Sequence, residues 1–224
     1  MDKNKLPSIT EKVIRSFAIP DIRALVIDAQ GDEKGGNIIE GHPAVFDIRT
    51  AIGFEDDPWF YEIIERGAFN ETNFDDVLFS VNHQWTNRIP LARSRRNNKN
   101  STMQINVDDI GLFIRANLDI DRNSEAKSLY SAVERGDIQG MSFIFWVSEE
   151  KWEDLDKDVP TRRIQKISRV REVSAVNYPA YDTTDINARN DQSALENAKR
   201  ALDNARSTLE NEKSELLLAQ LKIF

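Results

Sequence analysis

The stretch GMSFIFWV, residues 140–147, decides what kind of fold this chain can adopt. Its apolar part, Phe143–Val147, is the longest strongly apolar run in the 224-residue sequence. A short apolar run that follows a glycine is typical of a buried β-strand, and it is far too short to cross a bilayer. The chain is therefore expected to be a soluble protein with a core strand at this place.

Other short segments share this strand character, because they are rich in β-branched and aromatic residues and lie between turn signals. Turn-forming residues at 95–100 (RRNNKN) and 108–111 (DDIG) favour an antiparallel meander around them. Many short strands of this kind predict a β-barrel or a β-sandwich. The predicted strands are Ile38–Phe46, Val77–His83, Ile89–Ser94, Thr102–Val107, Leu112–Leu118, Met141–Val147 and Arg169–Val176.

One helix is predicted inside the strand-rich region. Asn123 and Ser124 are both good N-caps, and Gly136 is a typical helix end. Between them, one stripe of the helix is apolar and should face the core. The stripe consists of Ala126, Leu129, Tyr130 and Val133.

The end of the chain, Asn190–Phe224, lacks glycine and proline and is predicted to be a helix. Its apolar residues alternate by three and four over about four heptads, which indicates a coiled-coil seam with a flaw at Glu212. The seam comprises Leu195, Ala198, Leu202, Ala205, Leu209, Leu216, Ala219 and Ile223. The chain is thus divided into an N-terminal leader (1–20), a catalytic domain (21–188) and a coiled-coil-like tail (189–224).

The composition excludes several classes of function. The chain has no cysteine, which rules out disulfides, thiol catalysis and thiolate metal sites. Its net charge is −8, which would repel phosphate backbones, so nucleic acid is not an expected partner. The first residues lack the apolar region of a signal peptide, and no membrane partner is expected. Without a His-Glu-x-x-His pattern, neither a metal site nor a cofactor is expected.

A general base of near-neutral pKa must come from the two histidines, His42 and His83. Strand alternation over Val77–His83 places His83 at the end of the core-facing side. His42 stands between Gly41 and Pro43 and is predicted to lie in a turn. From spacing alone, a structural histidine that hydrogen-bonds to the backbone remains the commoner interpretation of His83.

Two further residues could carry chemistry. Ser142 stands at the head of the apolar run, where a hydroxyl is either satisfied structurally or placed to react. Glu172 lies in the strand-like segment RVREVSAV, and its alternative is an ordinary solvated charge. The neighbouring Arg169 and Arg171 could favour the ionised carboxylate.

Several segments, taken in order, resemble the landmarks of the tailed-phage prohead protease family. The resemblance covers roughly Ile38–Asp185, and its most specific parts are the pair Asn82-His83, the segment GMSF at 140–143 and the segment EVSAVNYPAY at 172–181. The resembling segments are GHPAVFDIRT, ERGAFNET, VLFSVNHQW, DDIGLFIRANL, VERGDIQGMSFIFWV and REVSAVNYPAYDTT.

The resemblance implies a fold and a set of catalytic residues. The family is similar in fold to the herpesvirus assembly proteases, so an α+β protein with a closed, mostly antiparallel β-barrel flanked by helices is expected. Those proteases use His, Ser and a second His in chain order. No histidine follows His83 here, so the resemblance implies Ser142 as nucleophile, His83 as base and Glu172 as the third member. Arg169 and Arg171 are candidates for stabilising the oxyanion.

The expected function is a serine endopeptidase that cleaves scaffold protein, major capsid protein or both, and also itself, during phage prohead maturation. Its expected partners are these two substrates and a second copy of the chain, and its expected location is the assembling prohead in the bacterial host cytoplasm. The alternative is a scaffold or assembly protein whose main functional element is the coiled-coil tail.

Overall fold

The computed structural model describes residues 11–17, 22–26, 36–53, 58–84, 86–177 and 192–221. This part of the chain is mainly β, with eleven strands and two helices. The strands are β1 (Glu11–Phe17), β2 (Arg23–Val26), β3 (Gly36–Val45), β4 (Thr50–Gly53), β5 (Pro58–Ile64), β6 (Val77–Val81), β7 (Ala92–Ser94), β8 (Met103–Val107), β9 (Gly111–Asn117), β10 (Gly140–Glu153) and β11 (Thr161–Val176), and the helices are α1 (Ser124–Glu134) and α2 (Gln192–Leu221).

The antiparallel pair β10 and β11 is the longest feature of the fold, with 14 and 16 residues. The predicted strands Met141–Val147 and Arg169–Val176 are confirmed, but the first is only the N-terminal half of β10 and the second only the C-terminal half of β11. Three residues of β11 have no partner on β10: Gln165, Ser168 and Arg171. Each is the extra residue of a β-bulge. Because of the bulges, the core-facing residues of β11 are spaced by three, at Ile164, Ile167, Val170 and Val173.

These two strands lie at the centre of a seven-stranded mixed sheet. On one side, β1 pairs antiparallel with β10. On the other side, β11 pairs in parallel with β5 through residues 161–164 and with β6 through residues 172–175. β4 extends the sheet from β5, and β7 extends it from β6.

A second, four-stranded antiparallel sheet has the order β2-β3-β9-β8. Its β8–β9 hairpin confirms the turn predicted at residues 108–111. There Asp108 Oδ1 accepts hydrogen bonds from the backbone N–H groups of Ile110, at 2.8 Å, and Gly111, at 2.9 Å. An aspartate that binds the backbone two residues further on is a typical turn former.

The expectation of a closed antiparallel barrel is wrong. The two sheets face each other, but in the described residues no strand pairing joins one sheet to the other. They come close where β7 approaches β8, yet β7 has only three residues and left-handed backbone follows at Arg96 and Asn97. A single backbone bond, from Thr102 N to Arg93 O at 3.0 Å, spans that gap, so the ladder ends before it can close the barrel.

The main core lies between the two sheets and is covered by α1. Asn123 caps this helix, because its side chain accepts hydrogen bonds from the backbone N–H groups of Glu125 and Ala126. The helix ends before Gly136, which has a φ of +77°. The predicted apolar stripe is confirmed, since all four of its residues are buried.

Helix α2 confirms the helix predicted at the C-terminal end, and its first half packs against the rest of the chain. Ala198 and Leu202 are buried, and the Lys199 ammonium lies 3.9 Å above the Trp59 ring. Further on, Arg206 donates a hydrogen bond to the backbone oxygen of Lys157 in the β10–β11 loop. Part of the proposed seam is therefore used within the chain, and the coiled coil itself stays a prediction. Neither described helix is both long and apolar enough to span a membrane.

His42 was predicted to lie in a turn, but it belongs to β3 and is buried. The register with β9 breaks between Gly41 and Ala44, and this irregularity explains why the sequence looks like a turn. His42 Nε2 lies 2.9 Å from Asp108 Oδ2. Burial opposes ionisation of Asp108, but hydrogen bonds from Gly111, His42 and Ile110 outweigh burial and lower its pKa.

Gly111 begins β9 and lies close to the backbone of Ala44 on β3. A Cβ atom at this position would lie 2.0 Å from the backbone oxygen of Ala44. We expect Gly111→Ala to lower the free energy of unfolding by about 2 kcal/mol, because the backbone must move to accept the methyl group. Urea denaturation will measure the change. The control is Asp109→Ala, in the same turn but exposed, and equal stability of the two variants would contradict the prediction.

Candidate active site

The candidate site lies on the face of β10 that points away from the main core. Met141, Phe143 and Phe145 belong to that core. Ser142 alternates with them and therefore points to the opposite face. It has no exposed surface.

Strand pairing places Ser142 in a row of serines that crosses three strands. Ser142 on β10 is paired with Ser174 on β11, and Ser174 is paired with Ser80 on β6. Residues paired directly across strands have their side chains on the same face. The three hydroxyl groups therefore line one buried face of the sheet, where Ser80 and Ser174 are 3% and 0% exposed.

Glu172 reaches this face because of the bulge at Arg171. Val170 and Val173 both point into the main core, three residues apart. In a regular strand, the residue two positions after Val170 would face the core as well. The extra residue reverses this alternation, so Glu172 lies on the face of Ser142 and Ser174. The Glu172 side chain is fully buried.

His83 reaches the same face through a left-handed turn. Strand β6 ends at Val81, and both Asn82 and His83 have positive φ, at 48° and 56°. Gln84 N donates to Val81 O at 3.1 Å, so residues 81–84 form a turn of the type I′ class. The prediction that His83 continues the core-facing alternation of β6 is wrong, because the strand stops two residues earlier.

The pair Asn82-His83 is held against the end of β11. Asn82 N donates to Ala175 O at 3.0 Å, and Asn177 N donates to Asn82 Oδ1 at 3.1 Å. His83 N donates to Ser174 Oγ at 2.9 Å. Asparagine tolerates left-handed backbone better than most residues, whereas a histidine with positive φ carries strain that its surroundings must hold.

The structure brings the three predicted residues into one hydrogen-bonded chain. His83 Nε2 lies 2.6 Å from Ser142 Oγ, and His83 Nδ1 lies 2.7 Å from Glu172 Oε2. The His83 side chain is 7% exposed, so the whole chain of contacts is sheltered from bulk water. A serine, an imidazole and a carboxylate in this order have the geometry of an activated nucleophile.

Two residues of the site were missed from the sequence, Ser80 and Ser174. Glu172 Oε1 accepts a hydrogen bond from Ser80 Oγ and another from Ser174 Oγ, the latter at 2.6 Å. The two hydroxyl oxygens lie 2.8 Å apart. Ser174 could have been found, since it stands two residues after Glu172 and shares its face. Ser80 could not, because its pairing with β11 is parallel and distant in sequence.

These contacts fix the chemistry that the imidazole can perform. An ionised carboxylate accepts hydrogen bonds and donates none. With Glu172 in that form, His83 carries its proton on Nδ1, and Nε2 is left with a lone pair that faces the Ser142 hydroxyl. In this tautomer the ring can take the serine proton as a general base.

Within the described ranges, no cluster of three or more histidine, aspartate or glutamate side chains could hold a metal ion.

A charged cluster supports the strands that carry the site. Asp76 precedes β6 and pairs with Arg93 on β7 through two bonds, of which the bond from Nη2 measures 2.8 Å. Arg171, the bulge residue of β11, lies 3.6 Å from the same carboxylate. The hydrogen bond from Arg93 is the main reason why the pKa of Asp76 lies below its ordinary value. Asp76 thus joins β6, β7 and the bulge.

The lowered pKa of Asp76 makes the stability of this region depend on pH. The ionised Asp76 carboxylate contributes fully to the free energy of unfolding above the pKa of an unfolded aspartate, about 3.9. This contribution is lost as the pH falls through the lower pKa that Asp76 has in the folded chain. We expect Asp76→Asn to reduce stability at pH 7, and we expect the difference from the parent chain to shrink below about pH 4. Urea denaturation at pH 7, 5 and 3 measures this.

Asparagine is suited to this test, because Asp76 has a φ of +64° that asparagine tolerates. The control is the neighbouring Asp75→Asn, whose carboxylate is exposed and lies 4.0 Å from Arg96. A stability difference between Asp76→Asn and the parent chain that stays constant across the three pH values would contradict the role of the charge.

Ser174 is the hydroxyl that joins the histidine turn to the carboxylate. We expect Ser174→Ala to lower the free energy of unfolding by about 2 kcal/mol, because the His83 N–H and the buried Glu172 carboxylate each lose a partner. Thermal and urea unfolding will measure the loss. The control is the exposed Ser148→Ala on β10, for which a change within about 0.5 kcal/mol is expected. If both variants have the stability of the parent chain, Ser174 does not support the site.

Comparison with known proteins adds three findings. A family model described as "Caudovirus prohead serine protease" matches residues 24–200. Among solved structures, the chain is similar to that of the bacteriophage T4 capsid assembly protease, gp21, with a TM-score of 0.40 and 13% sequence identity, over 74% of this chain and 97% of that chain. No curated protein matches the chain. The residues matched by the family model include His83, Ser142 and Glu172 and begin after β1.

Proposed function

Because this chain belongs to the family of caudovirus prohead serine proteases, and is thus a capsid-maturation peptidase, we propose that it cleaves peptide bonds with Ser142 as nucleophile, His83 as general base and Glu172 as the residue that orients the histidine. The observation that carries this proposal is the unbroken chain of two short contacts from Ser142 through His83 to Glu172.

The geometry supports a two-step acyl transfer. In the first step, Ser142 Oγ attacks the scissile carbonyl carbon while His83 Nε2 takes the hydroxyl proton. The imidazolium that forms then gives this proton to the leaving amine, which departs as the new N-terminus. In the second step, water attacks the acyl-enzyme with His83 again as base, and Ser142 is released. Glu172 stabilises the imidazolium throughout.

The contacts of Glu172 suit this role. Its carboxylate accepts hydrogen bonds from Ser80, Ser174 and the His83 ring, so the buried charge is compensated on both oxygens. A buried carboxylate without such partners would be costly. Because the carboxylate is held on both sides, the imidazole it binds has one preferred orientation.

The oxyanion of the tetrahedral intermediate requires hydrogen-bond donors. Of the two arginines considered from the sequence, Arg171 already pairs with Asp76. Arg169 lies opposite Trp146 on β11, and its buried Nε atom has no hydrogen-bond partner among the described residues. Because this donor is unmatched, we favour Arg169 over Arg171 as the residue that stabilises the oxyanion.

The proposed substrates are the major capsid protein and the scaffold protein of the same phage, together with the chain itself. The proposed place of action is the assembling prohead, within the host cytoplasm. The net charge of −8 agrees with protein rather than nucleic acid as the partner.

The triad is tested by co-expressing the chain with the major capsid protein of the same phage. We expect Ser142→Ala to slow cleavage by about 10⁴-fold, with Glu172→Gln also strongly impaired because the amide favours the wrong tautomer of His83. Mass spectrometry of both proteins measures cleavage of the capsid protein and of the chain itself.

Two control variants lie on the same strand as Ser142. Ser148→Ala removes an exposed hydroxyl of β10, and Glu149→Gln neutralises a half-exposed carboxylate that pairs with Lys166. Both should cleave at the parent rate. Equal cleavage by Ser142→Ala and Ser148→Ala would exclude Ser142 as the nucleophile.

A second candidate function, assembly through the tail, has one supporting observation. Beyond its contacts with the body of the chain, α2 exposes Leu216 and Leu218, at 62% and 57%. Exposed leucines on a helix can form a seam with another helix. We therefore keep scaffolding as a secondary function that would accompany peptidase activity.

A further inference from the structure

Positive charge is concentrated in one segment of the chain, from Val77 to Val107. This segment contains no aspartate or glutamate, although the chain as a whole has 38 acidic side chains in 224 residues. At that frequency, a stretch of 31 residues would contain about five. The segment instead contains five arginines and lysines, in a chain whose net charge is −8.

Cross-strand pairing places Arg93 of this segment on the face of the sheet that carries the triad. Leu78 on β6 is paired with Glu172 on β11 and, on its other side, with Arg93 on β7. Directly paired residues have their side chains on the same face. Neighbouring strands lie about 4.8 Å apart, so the backbones of Arg93 and Glu172 are separated by about 10 Å. The basic segment therefore borders the candidate site on its β7 side.

Three guanidinium groups surround the Asp76 carboxylate. Arg93 donates hydrogen bonds to it, and Arg171 lies 3.6 Å away. The hydrogen bond from Arg93 is the main cause that lowers the pKa of Asp76, and the charges of Arg93, Arg171 and Arg95 lower it further. The side chains of Arg93 and Arg171 are 35% and 30% exposed, and Arg95 is exposed. One carboxylate cannot neutralise three cations, so positive charge remains accessible here.

The loop that follows β7 holds further cations on a backbone that is already fixed. Ser101 Oγ accepts a hydrogen bond from the Arg95 backbone N–H at 2.9 Å. The Asn97 side chain binds both backbone groups of Ile105, at 2.7 and 3.1 Å. Among the described residues, none forms an ion pair with Arg95 or Lys99. Because this backbone is held in place, the loop loses little conformational entropy when it binds a ligand.

These side chains form a basic patch with five cations and two carboxylates, a net charge of +3. The basic patch consists of Arg93, Arg95, Arg96, Lys99 and Arg171, together with Asp75 and Asp76. A complementary ligand carries several negative charges. A nucleic acid would extend beyond the patch, where the net charge of −8 repels its phosphates. An acidic polypeptide segment can place its charges on the patch alone, so the patch favours a protein partner.

We propose that the basic patch is a docking surface for an acidic segment of the protein that the triad cleaves. This rests on the proposed function. The patch binds a part of the substrate that is remote from the scissile bond, and it does not contact the reacting atoms. Binding of one segment raises the effective concentration of another segment of the same protein at the triad. The patch therefore contributes to substrate affinity and not to the chemical step.

The first test measures binding and needs no catalysis. The full chain carries Ser142→Ala, so that the probes stay intact. The probes are fluorescein-labelled, end-capped decapeptides that repeat Glu-Ala or, for the neutral probe, Gln-Ala. We expect the acidic probe to bind at least about tenfold more tightly at low ionic strength, and we expect this difference to shrink as salt is added. Equal affinities for the two probes would overturn the proposal.

Charge reversal then locates the binding site. Arg95→Glu combined with Lys99→Glu should weaken binding of the acidic probe at least about tenfold. The matched control is Lys127→Glu combined with Arg200→Glu, which changes the net charge equally at exposed positions of the two helices. The control should bind the probe within about twofold of the parent affinity. Equal weakening in both double variants would mean that the probe responds to net charge alone, which contradicts a local docking surface.

A milder pair of variants covers the case in which the charge reversal does not fold. Arg95→Gln combined with Lys99→Gln removes the two charges without introducing new ones, and a loss of at least about threefold in affinity is expected. Parent affinity in this pair would also count against the proposal. An oligodeoxythymidine is the third probe. If the oligonucleotide binds and the acidic peptide does not, the basic patch is a nucleic-acid site and the proposal is wrong.

The last measurement links the basic patch to cleavage. In the active chain, Arg95→Glu combined with Lys99→Glu should raise the KM for the major capsid protein and leave kcat unchanged. Lys127→Glu combined with Arg200→Glu should change neither. An unchanged KM in the first pair would separate the patch from substrate recognition and refute the proposal. If no active protein cleaves while the Ser142→Ala proteins differ in binding, the proposed function fails and the acidic docking surface stands.

Discussion

The pairing of β10 with β11 is the constraint on which the rest of the molecule depends. This one ladder supplies Ser142 on one strand and Glu172 and Ser174 on the other. The outer side of β11 then binds β5 and β6 in succession, and the second of these leads into the turn that carries His83. Every residue of the candidate triad is therefore placed relative to the same two strands, and the bulges of β11 decide which face each side chain occupies.

The site is assembled at two breaks in strand alternation. The bulge at Arg171 moves Glu172 from the core side to the Ser142 side, and the left-handed turn at Asn82 and His83 does the same for the imidazole. Bulges are frequent next to active sites because they redirect a side chain without disrupting the sheet. Strained backbone at His83 is held by bonds from its own N–H and from Asn82, so the serine that compensates the carboxylate also secures the turn.

The sequence predicted those parts of the fold that follow a simple period. Helix α1, with its cap and apolar stripe, and the β8–β9 hairpin are both local features, and both are confirmed. The first half of β11 escaped prediction because its bulges space Ile164 and Ile167 by three residues, which is not the period of a strand. In the same half of β11, Arg162 is fully buried and lies 3.3 Å from the buried Glu62 on β5, so this half of the strand appears polar in sequence although it belongs to the interior.

The three residues of the candidate triad were named from the sequence, but their arrangement was not. The two histidines and the resemblance identified His83, Ser142 and Glu172, whereas alternation placed His83 on the wrong face. Ser80 had no local signal at all. Its contact with Glu172 joins residues 92 positions apart, and the parallel pairing that creates this contact depends on the complete domain. The failure of the two sheets to close into a barrel was also beyond prediction, since it depends on the three-residue length of β7.

The parallel pairing of β6 with β11 also governs when the site can exist. His83 and Ser142 are 59 residues apart, and His83 and Glu172 are 89 residues apart, so their contacts have a high sequence separation and form late in folding. On the ribosome, His83 and Ser142 emerge well before β11, which carries Glu172 and Ser174. A growing chain therefore holds Ser142 before His83 can be oriented, and the candidate triad is complete only when translation has passed β11.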